Sequence, residues 1–452
     1  MATVHHFTEG KILQPLIRFA LPVLAALFLQ AVYGAVDLLV VGHFSDAAQV
    51  SAVSTGSQLL MTVTNLVAAM SMGCTVVLGQ QIGKKEEIKA GETVGATMAL
   101  FTVGGMLLAV FMAVFAPQLS GWLQAPPEAL EATISYIRIC GAGMLVVVAY
   151  NLISCVFRGI GDSMTPLFAV MVACVGNVFG DLALVAGFHL GAAGAALATV
   201  MAQALSVVLS LMVIRTKTLP FSFSVRKDFR WHKKLIRQIV GIGVPIAIQD
   251  FMVSLSFLII MAIVNTLGVV ASAGVGVAEK VCGFIMLCPS AFMQSLAAFV
   301  AQNYGAGKME RAARALRYAI LIAISLGCFM SYGAWFHGDA LSGLFSQNSR
   351  IIEASWDYLR AYAIDCILTP VFFCFIGFYN GMGQTRFVML QGILSAFLVR
   401  VPVSYAMSLW QPVSLFHIGL ATPLSSLLQI GLAFWFYRYL QRKRCRGFLK
   451  TA

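Results

Sequence analysis

The sequence predicts an all-α membrane protein: twelve transmembrane helices arranged as two parallel-repeat, six-helix lobes. Three observations carry this. Of 452 residues, 60% are hydrophobic and only 11% charged, whereas soluble domains carry roughly 25% charged residues. Uncharged runs such as 93–127 and 163–180 exceed or approach the ~20 apolar residues that cross a bilayer as a helix. The chain also matches itself at an offset of 222–223 residues. The apolar runs are continuous rather than alternating, so helices are expected and not a barrel.

Taken in order, the runs predict spans at 14–44, 49–80, 92–117, 128–158, 163–187 and 191–215 in the first half. The second half gives 235–267, 271–303, 313–337, 351–381, 386–409 and 416–441. The first run follows Lys11 and Arg18, is too long for a signal-peptide core and ends in no small-residue cleavage site, so it reads as a retained helix. The connections then alternate in charge. Lys11, Arg18, Lys84, Lys85, Lys89, Arg158, the segment 215–237, Lys308, Arg311, Arg314, Arg317, Arg386 and the tail from Arg438 to Lys450 together hold 25 of the 30 basic residues. The opposite connections hold Arg350 alone. By the positive-inside rule both termini are cytoplasmic, the span count is even, and His43, His189 and His417 lie outside. The net charge of +12 is therefore topology and no nucleic-acid footprint.

The self-match sets Pro22 on Pro245, Gln80-Gln81-Ile82-Gly83 on Gln302-Asn303-Tyr304-Gly305, and Phe157-Arg158-Gly159-Ile160-Gly161 on Tyr379-Asn380-Gly381-Met382-Gly383. After a short insertion, Phe188-His189-Leu190-Gly191 falls on Phe416-His417-Ile418-Gly419. An even number of spans per repeat gives both halves the same orientation, about an axis along the membrane normal. The domain boundaries that follow are 1–215, a basic cytoplasmic linker at 216–234, and 235–452 with its basic tail. The linker reads most simply as a topology anchor.

Chemistry of other kinds is weakly signalled. The ten cysteines lie singly, without CxxC or CxxCH, and Cys445 sits in the basic tail, so no metal cluster or haem attachment is indicated and the rest read as apolar fillers. No HExxH, DxxD or GxSxG motif supports a membrane-embedded enzyme, and no filter-like re-entrant segment supports a channel. No cofactor is expected.

Each acidic residue within a span is a functional candidate, since its insertion costs roughly 2.5–3.5 kcal/mol. These are Asp37, Asp181, Asp250, Glu279 and Asp365. Asp365 has Arg360 and Arg400 as possible partners, and Glu279 reads as structural or interfacial. Asp37 and Asp181 have no basic residue on their own helix faces. Asn177 and Asp181, spaced i,i+4, point the same way.

The chain resembles the multidrug and toxic compound extrusion (MATE) transporters over essentially its whole length. The resemblance rests on the duplicated twelve-helix plan, on Pro22 with Asp37 in the first span, on Gly83-Lys84-Lys85 and Gly305-Ala306-Gly307-Lys308, and on Phe157-Arg158-Gly159-Ile160-Gly161-Asp162. It implies a V-shaped pair of lobes in a bacterial inner membrane. It also implies secondary antiport by alternating access, with amphipathic or cationic drugs leaving in exchange for H+ or Na+, by a monomer among membrane lipids. It implies no enzyme. Flipping or exporting a lipid-linked or natural metabolite is the competing reading.

The resemblance also carries Tyr136 and Thr199 over to a site with Asp37, Asn177 and Asp181, and makes Pro22 a hinge. Burial and like-charge repulsion favour one shared proton between the carboxylates. Sodium, a hard cation, would take Asp37 and Asp181 as oxygen ligands instead. The proton is the preferred reading. A second branch of the family carries acids in spans seven and ten that align here with Val253 and Thr369. Asp250, Asp365 and Gln249 nearby are secondary candidates. Met61, Met252, Met286, Met293 and Phe257 are candidate drug contacts, since flexible thioethers suit promiscuous surfaces.

Overall fold

A computed structural model describes residues 7–217 and 219–448. It contains helices and no strand among the described residues. Six spans make the first half: α1 (Leu13–Phe44), α2 (Ala47–Gly83), α3 (Glu87–Trp122), the pair α4 (Leu130–Ala142) and α5 (Met144–Ile160), α6 (Met164–Asp181) continued by a π-helical turn at Leu182–Gly187, and α7 (Gly191–Thr216). A short helix α8 (Val225–Asp228) lies in the linker.

The second half repeats the plan. It comprises α9 (Lys233–Asn265), α10 (Val269–Ile285) with α11 (Leu287–Gly305), α12 (Met309–Phe336), a short α13 (Gly338–Gly343), α14 (Ser349–Gly381), α15 (Thr385–Ser395) with α16 (Val401–Leu409), and α17 (Leu415–Gly419) with α18 (Ala421–Phe448). Eleven stretches are long and apolar enough to cross a membrane, and α4 with α5, bent by 50°, makes a twelfth.

Several spans expected as single helices are interrupted, and proline accounts for most of the breaks. Pro289 cannot donate to Ile285, and α10 ends there. Pro423 cannot donate to Gly419, where α17 ends. Pro402 follows the π-helical turn Ala396–Arg400. The bend between α4 and α5 falls at Gly143, whose missing side chain admits Val200 of α7. Pro22, by contrast, sits inside an unbroken α1.

The repeat extends to backbone detail. Gly161 and Gly383 both adopt left-handed φ, +87° and +76°, after α5 and α14. The following amides close back on the helix in the same way: Asp162 N–H donates to the Phe157 carbonyl at 2.9 Å and Gln384 N–H to the Tyr379 carbonyl at 2.8 Å. Lys85 and Gly307, again 222 residues apart, carry the left-handed turn after α2 and α11. Lys85 holds it without being glycine.

By contacts the chain forms two compact units, one of Met1–Ala247 with Ala301–Met309, the other of Ile248–Val300 with Glu310–Ala452. The core of the first includes Val53, Ile137, Met144, Val147 and Ala195. That of the second includes Ile260, Val275, Tyr358, Leu359 and Cys366. Most of the described cysteines are buried, as fillers would be, and Cys328 is exposed. Cys445 lies outside the residues whose side chains are described.

Candidate cation site in the first unit

Three helices supply the site. Asp37 lies near the end of α1, Asn177 and Asp181 one turn apart on α6, and Thr199 on α7. All four are buried, Asp37 at 5% exposure and Asp181 at 0%. Close approach of α6 and α7 brings them together: a Cβ on Gly180 would stand 2.9 Å from the Ala198 Cβ and 3.2 Å from its Cα, so only glycine fits there. Asp181 is the last residue before the π-helical turn, a feature that tends to mark functional positions in helices.

Thr199 Oγ1 donates to Asp37 Oδ2 at 3.4 Å and, more closely, to its own-helix Ala195 carbonyl at 3.0 Å. Asn177 Nδ2 donates to Thr199 Oγ1 at 3.4 Å. Asp181 lies within electrostatic range of Asp37. Asp37 Oδ1, Asn177 Oδ1 and both oxygens of Asp181 have no hydrogen-bond donor. Among the described residues no lysine, arginine or histidine acts on either carboxyl. Two buried acids this near one another, with no base and with three of their four oxygens lacking a donor, are an arrangement that fully ionised groups would not tolerate, so it calls for a proton or a cation.

Tyr136, on α4, is buried at the edge of this group, its ring lying over Gly56 of α2, where any Cβ would overlap it. It lies within electrostatic range of Asp37 and makes no hydrogen bond to the two carboxyls. Residues that sequence reasoning missed extend the group. Tyr33, one turn before Asp37, lies beside Gln203, one turn after Thr199. Gln30 Nε2 donates to the Tyr150 hydroxyl at 3.2 Å. The signal for them was available: polar residues at i,i+4 on α1, α6 and α7 draw a stripe down each helix. Pro22 lies four turns from Asp37 on α1, apart from the site.

The secondary candidates do not assemble in the same manner. Asp250 is exposed on α9, while Gln249 is buried against Gly392. Asp365 is buried on α14 and accepts from Thr369 Oγ1 of its own helix at 2.6 Å. Arg360, a possible partner from sequence, instead stacks on Trp356 at 4.3 Å. Arg400 is buried, donates to Ser256 Oγ at 3.2 Å and lies 4.5 Å over the Phe257 ring. It is within electrostatic range of Asp365 but forms no direct salt bridge with it. Glu279 is partly buried, with one carboxylate oxygen lacking a donor.

The MatE family model matches the chain twice, over residues 22–183 and 245–406, so the duplicated halves are two copies of one family unit. The chain belongs to the MatE family. Relatives of this MatE chain include the probable multidrug resistance protein YpnP of Bacillus subtilis, 26% identical over 448 residues and covering 98% of this chain and 99% of that protein. The multidrug export protein MepA of Staphylococcus haemolyticus is 22% identical, covering 89% of this chain and 88% of its own. A multidrug resistance MATE family transporter solved in an outward-facing conformation matches with a TM-score of 0.90 at 18% identity, over 97% of both chains. This MatE chain is thus a multi-pass membrane protein of the MATE fold. The family match begins at Pro22 and ends two residues past Asp181, so the α1 and α6 residues of the site lie within it.

Proposed function

We propose that this chain is a secondary antiporter that exports amphipathic, cationic compounds in exchange for protons by alternating access, with both termini cytoplasmic. The observation that carries the coupling is a pair of buried carboxyls within electrostatic range of each other that no base among the described residues compensates. Multidrug export as the task is supported by the names of the relatives.

In this reading one proton is shared between Asp37 and Asp181 and turns a repulsion into a hydrogen bond, with Asn177 and Thr199 holding the acids in register. Loss of that proton leaves two like charges near one another, worth roughly 4 kcal/mol at 4 Å in a medium of intermediate polarity. That repulsion acts between α1 and α6. Pro22 lets α1 yield to it, because the missing hydrogen bond at a proline lowers the cost of a kink. Each charge moved across 100 mV supplies about 2.3 kcal/mol, or roughly a fifty-fold concentration ratio.

One observation favours sodium as a second reading. The donorless oxygens of Asp37, Asn177 and Asp181 are a ligand set suited to a hard cation. The proton ranks first because one shared proton removes the repulsion between two buried carboxyls without further ligands. Ethidium efflux from proteoliposomes under separately imposed pH and sodium gradients tests both. Efflux driven by the pH gradient alone is expected. Efflux driven only by sodium transfers the site to the second reading, and a flux indifferent to both gradients removes antiport.

A further inference from the structure

The linker between the two halves is docked onto the first unit. Its Phe221 is buried, and Leu219 and Phe223 pack with it against Ala90, Val94 and Phe157. Gly91 and Gly95 of α3 leave no room for a side chain, because a Cβ on either would overlap the Ser222 or Asp228 carbonyl. Lys217 Nζ meets Asp162 Oδ2 at 2.6 Å and lies 5.4 Å over the Phe157 ring. An inner side is therefore fixed, and an outer side is presented.

That outer side is amphipathic in an unusual way. Val225, Phe229 and Trp231 are 57%, 44% and 57% exposed. Interleaved with them are the exposed Arg226, Lys227 and Arg230, followed by Lys233, Lys234 and Arg237 on the first two turns of α9. The one acid of the segment, Asp228, is turned to the backbone and accepts from Ser224 N–H at 2.7 Å. Six cations and a large exposed indole thus stand on a rigid support. Water solvates the cations well and the indole poorly. A surface that offers phosphate outside and hydrocarbon just beneath it satisfies both.

We propose that Val225–Arg237 is a binding site for anionic phospholipid headgroups at the membrane surface, with the basic side chains on the phosphates and Trp231 in the interfacial layer. Charge complementarity selects the occupant: juxtamembrane basic residues bind acidic lipids, whereas a zwitterionic headgroup offers no net attraction. The linker then does more than set orientation, because its inner side is packed on α3 and tied to the α5–α6 turn while its outer side takes the lipid.

The test uses the full-length chain in nanodiscs of phosphatidylcholine, with or without phosphatidylglycerol, each lipid also supplied with brominated chains. The Trp231 signal is the fluorescence difference between the unaltered protein and Trp231→Phe. Brominated phosphatidylglycerol is expected to quench it more than brominated phosphatidylcholine. Neutralising Arg226, Lys227 and Arg230 to Gln should lower the preference for phosphatidylglycerol by about fivefold for each charge removed. Arg442→Gln with Lys443→Gln should leave it in place. Added salt should weaken the preference in the unaltered protein, a measurement that needs no variant to fold. Equal quenching by the two lipids overturns the proposal. So does a triple variant with undiminished preference, or displacement of the lipid by soluble glycerophosphate, which would mark a site for free anions.

Discussion

The two halves share a plan and part company in their interiors. At the offset of 222 that sets Gly161 on Gly383, Tyr136 falls on Tyr358, and both are buried tyrosines. The same offset sets Gly143 on Asp365. In the first half this position is a glycine at a 50° bend, closed upon by Val200. In the second it is a buried acid within the continuous α14, with Arg400 in electrostatic range. Asp37 falls on Ile259 or Ile260, so the second half has no acid there. At the positions compared, the first half holds two acids without a base, and the second holds one acid, Asp365, with a base in range. An uncompensated pair has reason to exchange a cation, and an acid with a cation in range has less. Duplication supplies two scaffolds, and a few substitutions decide which becomes the moving part.

The largest effect is expected where this contrast is sharpest. Asp37→Asn or Asp181→Asn should remain abundant in the membrane and lose gradient-driven ethidium efflux, giving up the roughly fifty-fold accumulation that one coupled charge supports. Asp365→Asn should retain it. Efflux lost only in Asp365→Asn would reverse the assignment of roles.

Next in size is Arg400→Gln. It should destabilise the protein by about 1–3 kcal/mol, because Asp365 is left buried without its nearby cation. Adding Asp365→Asn should recover part of the loss in thermal unfolding. Strict additivity of the two would mean that the charges do not interact. A comparable cost, about 1–3 kcal/mol, is expected for Gly180→Val, which forces α6 from α7. Its signature differs, since drug binding should lose its pH dependence even where folding survives.

The smallest effect concerns the turns after α5 and α14, where Asp162 corresponds to Gln384. Burial works against the Asp162 carboxylate, but hydrogen bonds from Lys217 and Thr165 outweigh it and hold the carboxyl below the usual range. Its contribution is therefore complete above the unfolded value of ~3.9 and fades as pH falls through the lower folded one. Asp162→Asn keeps an acceptor for the Met164 and Thr165 amides but replaces the oxygen that accepts from Lys217 and the Thr165 hydroxyl. The cost at neutral pH should be at most about 1 kcal/mol, with a shallower acid limb in the unfolding profile.

Composition, charge alternation and the repeat made the spans legible to within a few residues, because bilayer thickness and lipid polarity act on sequence directly. The breaks were less so. Pro289, Pro402 and Pro423 could have been read as interruptions, but Gly143 bends a helix only because Val200 arrives from another one. The acids and their partners Asn177 and Thr199 were found from rarity and from family resemblance. Tyr33 and Gln203 were not, since a tyrosine or glutamine in a span is common and its meaning depends on what faces it. Neither spacing nor charge revealed that the linker is docked, because Gly91 and Gly95 report on a backbone distant in sequence.

Gly83 and Gly305 stand 222 residues apart and meet within the first unit. A Cβ on Gly83 would overlap the Gln302 carbonyl, and a Cβ on Gly305 would overlap that of Gln80, itself the repeat equivalent of Gln302. A position that touches its own counterpart in this reciprocal way is the mark of an isologous interface, the kind a homodimer makes. Each glycine meets the carbonyl of the glutamine that is the repeat equivalent of the one preceding it in its own half. One chain thus makes with itself a contact of the kind that joins identical subunits, and a bulky replacement at either glycine would break it.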